Sequence, residues 1–339
     1  METKLLTTSE NDITTAGQIV ANGGLVAFPT ETVYGLGASA FDTDAAKKIY
    51  AAKGRPSDNP LIVHICDKSQ LTDIAAEIPD EAHIVIDKFM PGPITIILKK
   101  KPSVPDTVTA GLDTVAIRFP SNETAQRLIR AAGVPIAAPS ANLSGKPSPT
   151  TAAHVKQDMT GRIDAIIDGG ACDVGVENTL VDFTGEKPEI LRPGGVTYDD
   201  LKAAGLDVLI NKNILKSIGA NEVPKSPGMK YKHYAPNAEV TVVEGEREAV
   251  QKKIKELLKT VQGKTVGVLT MYGAEYDDAV MLTAGESNKE YAKNLFSALR
   301  EFDNLGVEVV FAEFCEKDGY GLAVKYRLYK AAAQRVIHV

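Results

Sequence analysis

Four short stretches carry residue types that could work on a charged substrate. Lys53-Gly54-Arg55 sets two cations either side of a flexible residue, and Asn59 and His64 follow it. Cations at that spacing can complement the negative end of a helix or grip a phosphate, and the residues alone leave both uses open. Arg118 closes the run Thr114–Arg118, and Arg192 in EILRPGG repeats that arrangement. An arginine at a strand end offers a planar fork that suits a carboxylate or a phosphate. Ser140-Ala141-Asn142, with Ser144 and Gly145, follows the apolar Pro135–Ala138. Such a loop is also ordinary at any strand end. Lastly, apolar Leu25–Phe28 runs at once into Pro29, Thr30, Glu31, Thr32 and Tyr34. Hydroxyls and a carboxylate at that point sit where α/β proteins usually hold ligands. No GxSxG, HExxH or His/Cys cluster accompanies them, so hydrolase chemistry of those kinds has no support.

These residues need elements to place them. Ile13, Ala16, Ile19 and Val20 recur at helical spacing, and Gly23-Gly24 stops that helix before the strand Leu25–Phe28. A second helix is predicted from Thr43 to Gly54, then a strand over Leu61–Ile65. Further strands are predicted at Ile94–Leu98, Val115–Phe119, Ile136–Ala138, Ala165–Ile167, Thr179–Val181 and Ile190–Leu191, alternating with helices such as Asn122–Ala132 and Thr151–Met159. This is a mixed α/β domain over residues 1–205. Residues 206–237 lose apolar periodicity and read as a linker. Residues 238–339 then show strands at Val240–Val243, Val266–Thr270 and Val307–Phe311 with helices at Arg247–Val261, Ser287–Leu305 and Ala323–Ala333, a β-α-β-α-β-α order that predicts a smaller Rossmann-like domain.

With 339 residues, two domains are expected. The 44% hydrophobic share is ample for a core, and a formal charge of −6 argues against a surface that coats nucleic acid as a whole. Cys66, Cys172 and Cys315 lie far apart without a CxxC pair, so no zinc site is signalled and a reducing cytoplasm is expected. No signal-peptide core and no apolar run approaching ~18 residues is present, so secretion and membrane spanning are not expected. Two phosphate motifs fail. Gly263-Lys264-Thr265 has Leu258 where a P-loop needs glycine, and its strand follows instead of preceding. Gly35–Ala40 fits G-x-G-x-x-A with Asp58 downstream, yet eight residues separate Phe28 from Gly37, too many for a dinucleotide turn.

Taken together, FPTETVYGLG, KGRP, PGPITIIL, PSANLSGKPSPT, LRPGG and SPGMKYKHYAP, in this order and spacing, resemble the YrdC-like threonylcarbamoyl-AMP synthase family in its long form. The resemblance covers essentially the whole chain. It implies an N-terminal YrdC-like twisted open α/β sheet with a concave cavity, plus the smaller C-terminal Rossmann-like domain. It further implies a nucleotidyltransferase that joins L-threonine, bicarbonate and ATP into L-threonylcarbamoyl-adenylate, releasing pyrophosphate, with Mg²⁺ accompanying the nucleotide. The product would pass to a separate tRNA threonylcarbamoyl transferase.

Position by position, the resemblance places Thr32, His64, Arg118, Ala138 and Asn178 around L-threonine, with Arg118 on its carboxylate. It places Arg55, Asn59, Thr114, Ser140, Ser148, Arg192 and Tyr234 at ATP, and Lys53, Arg55, Ser140 and Asn142 in the catalytic KxR and SxN signatures. Two departures stand out. Asn178 occupies the place of a common serine, which puts one threonine contact in doubt, and Lys232 that of a common arginine, which removes a bidentate fork. Tyr231, His233 and Tyr234 are more handles than a passive tether needs, so the linker is expected to act as a lid with Tyr234 reaching the nucleotide. The rival from another class is a double-stranded RNA-binding module, with RNA contact that falls steeply with salt and ignores threonine. A carbamoyl-transfer domain like those of hydrogenase-maturation proteins ranks lower, because the zinc-finger cysteines and acylphosphatase segment of those proteins are missing.

Overall fold

The computed structural model describes residues 2–215, 233–261, 263–315 and 319–339. They form two compact units, the first from 2–144, 148–173 and 177–215, the second from 145–147, 174–176 and the described residues from 233 onward. Most of the predicted lid, 216–232, lies outside the described residues.

In chain order the first unit runs β1 (Lys4–Leu6), α1 (Glu10–Ala21), β2 (Val26–Phe28), β3 (Gly35–Ser39), α2 (Thr43–Lys53), β4 (Ile62–His64), α3 (Leu71–Ile74), α4 (Asp80–Phe89), β5 (Ile94–Lys99), α5 (Asp106–Thr109) and β6 (Thr114–Arg118). It continues through α6 (Glu123–Ala132), β7 (Ile136–Ala138), α7 (Ala152–Met159), β8 (Ala165–Ile167), β9 (Thr179–Asp182), β10 (Glu189–Arg192), α8 (Tyr198–Ala203) and β11 (Leu209–Ile210). The strands join one mixed sheet in the order β1-β8-β2-β3-β7-β4-β6-β5-β9-β10-β11. The two-residue β11 pairs in parallel with β10 and falls inside the stretch 206–237.

Local chemistry sets the pieces that matter for the site. Asp42 caps α2 by accepting from the Asp44 and Ala45 amides, and Gly54 ends it at φ +59, a left-handed turn that glycine enters without strain. That turn fixes where Lys53 leaves the helix and where Arg55 begins the loop. The GLGAS run, rejected above as a dinucleotide turn, is strand β3, a hairpin partner of β2 with Phe28 opposite Gly35 and Val26 opposite Gly37. Its glycine serves packing, because a Cβ on Gly37 would come within 2.6 Å of Ile136 and 2.8 Å of Phe28. Beneath the sheet, Ile13, Ala16 and Val20 of α1 and Ala125, Leu128 and Ile129 of α6 share a core with β2 and β8. The two helices approach closely where Gly17 would otherwise meet Ala131 at 2.6 Å.

The second unit holds β12 (Glu239–Glu244), α9 (Arg247–Leu258), β13 (Val266–Met271), β14 (Val280–Gly285), α10 (Asn288–Asn304), β15 (Val309–Phe314), α11 (Gly321–Ala331) and β16 (Val336–His338). All its pairings are parallel, in the order β14-β13-β15-β12-β16. The Rossmann-like expectation holds for the three central strands and three helices. The two additional strands, β14 and β16, are the sheet's edges, and their half-exposed residues lack the continuous apolar run that marks a buried parallel strand. The β15 strand also runs further than predicted, to Phe314, since Glu313 and Phe314 pair with Val243 and Glu244 of β12, and a glutamate inside the run interrupts its apolar pattern.

Candidate active site

Strand register lines up much of the first unit's chemistry. His64 on β4 pairs with Arg118 on β6, and Arg118 pairs in turn with Thr95 on β5. Thr95 donates its hydroxyl to Asn178 Oδ1 at 2.9 Å, and Arg192 reaches the same oxygen at 2.7 Å and the Asn178 carbonyl at 3.1 Å. A buried polar row thus crosses the neighbouring strands β4, β6 and β5 and continues through Asn178 to Arg192 at the end of β10. Thr95 is its member that the sequence did not suggest; a threonine inside a strand carries no local signal beyond ordinary β propensity. The departure at Asn178 acquires a structural explanation, since its amide oxygen accepts from both Thr95 and Arg192.

Arg118, 3% exposed, directs one terminal nitrogen, Nη2, at Glu31 Oε1 and Thr32 Oγ1, both 2.8 Å away, and at Thr30 Oγ1 3.3 Å away. The polar turn after β2 is therefore drawn onto the guanidinium. His64 donates from Nδ1 to the Ile62 carbonyl at 3.0 Å and stands edge-on to Phe28. Burial, reinforced by the Arg118 charge, pushes its pKa down to about 3, so the ring is neutral. Cys172 shares this neighbourhood, and burial pushes its thiol up to about 12.

A second group forms around the α2 terminus. Lys53, 2% exposed, donates to the carbonyls of Ser140 and Asn142, each at 2.5 Å, while its own carbonyl accepts from the Ser144 amide. This ammonium holds the Ser-Ala-Asn loop in shape. Ser140 donates to Asn142 Oδ1 at 2.6 Å, and the backbone of Ser140 bridges to Gly35 just beyond Ala138. Arg55 turns back on its loop, donating to the carbonyls of Asn59 and Pro60. Thr114 lies at the opposite end of β6 from Arg118 and lines a small cavity with Pro60, apart from the Arg118 group. Ser148 donates to Glu177 at 2.5 Å. Tyr234 belongs to the second unit, where its ring stacks on Phe296 at 5.1 Å.

Buried side chains normally find partners, so an exception marks a group open to a ligand, an ion or a water. Among the described residues of the first unit, the fully buried side-chain atoms without a partner are Glu31 Oε2, Asn59 Oδ1 and Arg118 Nε. Asn59 and Arg118 are sequence-predicted site residues; Glu31 adjoins one and was visible as the lone carboxylate among hydroxyls. What sequence could not show is that it turns inward.

Comparison with known proteins gives the family. A family model for Sua5, YciO and YrdC proteins, described as telomere recombination, matches residues 18–194. A second, described as the C-terminal domain of threonylcarbamoyl-AMP synthase, matches residues 196–333. Threonylcarbamoyl-AMP synthase of Pyrococcus abyssi is 50% identical over 96% of this chain and 95% of its own length, and that of Bacillus subtilis 48% identical over 98% and 96%. The solved structure of Pyrococcus abyssi Sua5 complexed with L-threonine superposes with a TM-score of 0.95 at 48% identity, covering 100% of both chains. Escherichia coli YciO, 27% identical, matches 57% of this chain and 96% of its own at a TM-score of 0.52. With both of its domains matched and half of its residues shared along nearly their whole length, the chain belongs to the threonylcarbamoyl-AMP synthase family of nucleotidyltransferases.

Proposed function

We propose that this enzyme joins L-threonine, bicarbonate and ATP into L-threonylcarbamoyl-adenylate with release of pyrophosphate, and so supplies threonylcarbamoyladenosine formation on tRNA through a separate transferase. The observation that carries this reading is the Arg118 cluster, where a buried guanidinium with an unpartnered Nε–H faces small hydroxyl side chains and a neutral imidazole. Such a cluster suits a small hydroxylated amino acid, the ligand named for the Pyrococcus relative.

In this reading Arg118 holds the threonine carboxylate, with Thr32, His64 and Ala138 shaping the remainder of the pocket. Asn178 acts through Arg192 more than by direct contact, since its amide oxygen is already taken. Arg55, Asn59, Thr114, Ser140, Ser148 and Arg192 serve the nucleotide. Lys53 is a positioning residue whose charge fixes the loop that presents Ser140 and Asn142. Threonine's nitrogen becomes a carbamate, the carbamate oxygen attacks the α-phosphorus, and pyrophosphate leaves. No protein nucleophile is required; alignment and charge neutralisation carry the rate. Mg²⁺ accompanying ATP would add charge neutralisation to that supplied by these side chains.

Pyrophosphate release should require threonine, bicarbonate and ATP together. Arg55→Ala should lower ATP use roughly ten- to a hundredfold through loss of a charged hydrogen bond of ~1.5–3 kcal/mol. Unchanged ATP kinetics would remove Arg55 from the nucleotide. Threonine-independent, salt-sensitive RNA binding without pyrophosphate release would favour the RNA-binding module instead.

A further inference from the structure

The Arg118–Glu31 pair is incomplete in a particular way. One carboxylate oxygen, Oε1, lies 2.8 Å from Arg118 Nη2, while the other, Oε2, is buried with no partner, as is Arg118 Nε. Glu31 itself is 7% exposed. The pair therefore presents a vacant acceptor beside a vacant donor, both shielded from solvent, where an isolated polar atom is costly. An α-amino acid in its ordinary zwitterionic form carries the complement: a carboxylate for the donor and an ammonium group for the acceptor.

We propose that Glu31 binds the α-ammonium group of the substrate amino acid through Oε2 and removes one proton from it, freeing the nitrogen to attack bicarbonate. The proposal rests on the reading of this pocket as the amino-acid site. The ammonium gives one proton to Glu31. The freed amine forms a bond to the bicarbonate carbon, the bond from that carbon to the hydroxyl oxygen breaks, and the hydroxide leaves with the second nitrogen proton as water. Carbamate, water and protonated Glu31 result, and Glu31 returns its proton to solvent. An isolated carboxylate in water is a poor base for an ammonium. Inside the pocket the transfer converts a buried charge pair into two neutral groups, which burial favours, while Arg118 retains the substrate carboxylate as its counter-charge.

The titratable groups facing Glu31 are Arg118 from β6, His64 from β4 beside Arg118, and Cys172 in the loop after β8, with Asp173 next to it. His64, neutral down to about pH 3, is too weak a base for this step, and the Cys172 thiol, pushed up to about 12, stays protonated.

Calorimetry and turnover test the assignment together. Wild-type protein should bind L-threonine at least about tenfold more tightly than 3-hydroxybutyrate, which lacks the amine, and in Glu31→Gln that preference should collapse towards unity. At pH 7 the variant's threonine-dependent pyrophosphate release should fall about a hundredfold or more, and should recover as rising pH supplies free amine from solution. ATP affinity, little changed, reports that the variant is folded. Equal wild-type affinity for threonine and 3-hydroxybutyrate overturns the proposal without any variant, and so does a Glu31→Gln enzyme that keeps both preference and rate. A loss equal at every pH assigns Glu31 a purely structural role and likewise rejects the proton transfer. If wild-type protein binds threonine yet releases no pyrophosphate, the proposed reaction fails while the calorimetry still decides the ammonium contact.

Discussion

Glu31 in the first unit and Glu313 in the second are both buried, and they are satisfied in opposite ways. Glu31 in the first unit faces a guanidinium and leaves one oxygen vacant. Glu313 in the second, 2% exposed on β15, has no cation among its described hydrogen-bond partners; it takes the Met271 amide on one oxygen and the Tyr276 hydroxyl on the other. Burial raises the Glu313 carboxyl above its ordinary value against the pull of those two donors. The difference separates a site from a staple. Glu313 ties β13, its following loop and β15 together and offers nothing outward, whereas the Glu31 arrangement is stable enough to form yet unfinished until a ligand completes it.

Breaking the first pair should produce the largest effect. Arg118→Ala leaves the Glu31 charge buried without compensation, so urea unfolding should show a loss of about 3–5 kcal/mol. Adding Glu31→Gln should restore part of that loss, and threonine binding should remain absent in both proteins. If Arg118→Ala costs no more than an ordinary surface substitution, the pair is not the buried contact described here.

Acid should distinguish the units by sign. His64 has a folded pKa of about 3 against 6.5 ordinarily, so the unfolded chain binds the proton first, and stability falls as pH drops from about 6.5 towards 3. The slope approaches ~1.4 kcal/mol per pH unit, or roughly 2 kcal/mol by pH 5. His64→Asn should lack that dependence. A raised carboxyl behaves the other way: the Glu313 contribution is fullest below its ordinary 4.5 and declines as pH rises through its folded value. Comparing wild type with Glu313→Gln across pH should show that opposite slope, and matching slopes for both substitutions would erase the contrast.

The smallest expected effect sharpens the staple. Tyr276→Phe strands one buried oxygen of Glu313 and should cost about 1–2 kcal/mol in unfolding while leaving threonine affinity unchanged. A loss of threonine binding in that variant would contradict the separation of roles.

Elements whose signals are local were legible in the sequence, and side-chain direction was not. The α2 helix announces itself through Asp42, its apolar face and Gly54. The strands β1 and β16 are partly exposed and lack the all-apolar run that marks the equally short β7 and β8, and β3 hides behind glycines that exist because Phe28 and Ile136 press against them. Cations were visible at Lys53 and Arg55, but only tertiary placement shows that the Lys53 ammonium turns onto two carbonyls. Arg118 was found because a strand-end arginine suits a carboxylate or a phosphate; Thr95, opposite it, looks like any threonine in a strand.

The pairing of His64 with Arg118 and of Arg118 with Thr95 also determines which changes of chain length the enzyme can absorb. Side chains alternate faces along a strand, so deleting one residue between Val115 and Ile117 would turn Arg118 to the other side of the sheet and abolish the site at a stroke. The same deletion at the exposed residues 102 and 103, before α5, would leave the pairing intact, since loops take up length changes without rotating their neighbours. Relatives with altered length should therefore carry the change in loops such as this and never within β6, whatever substitutions they accumulate elsewhere.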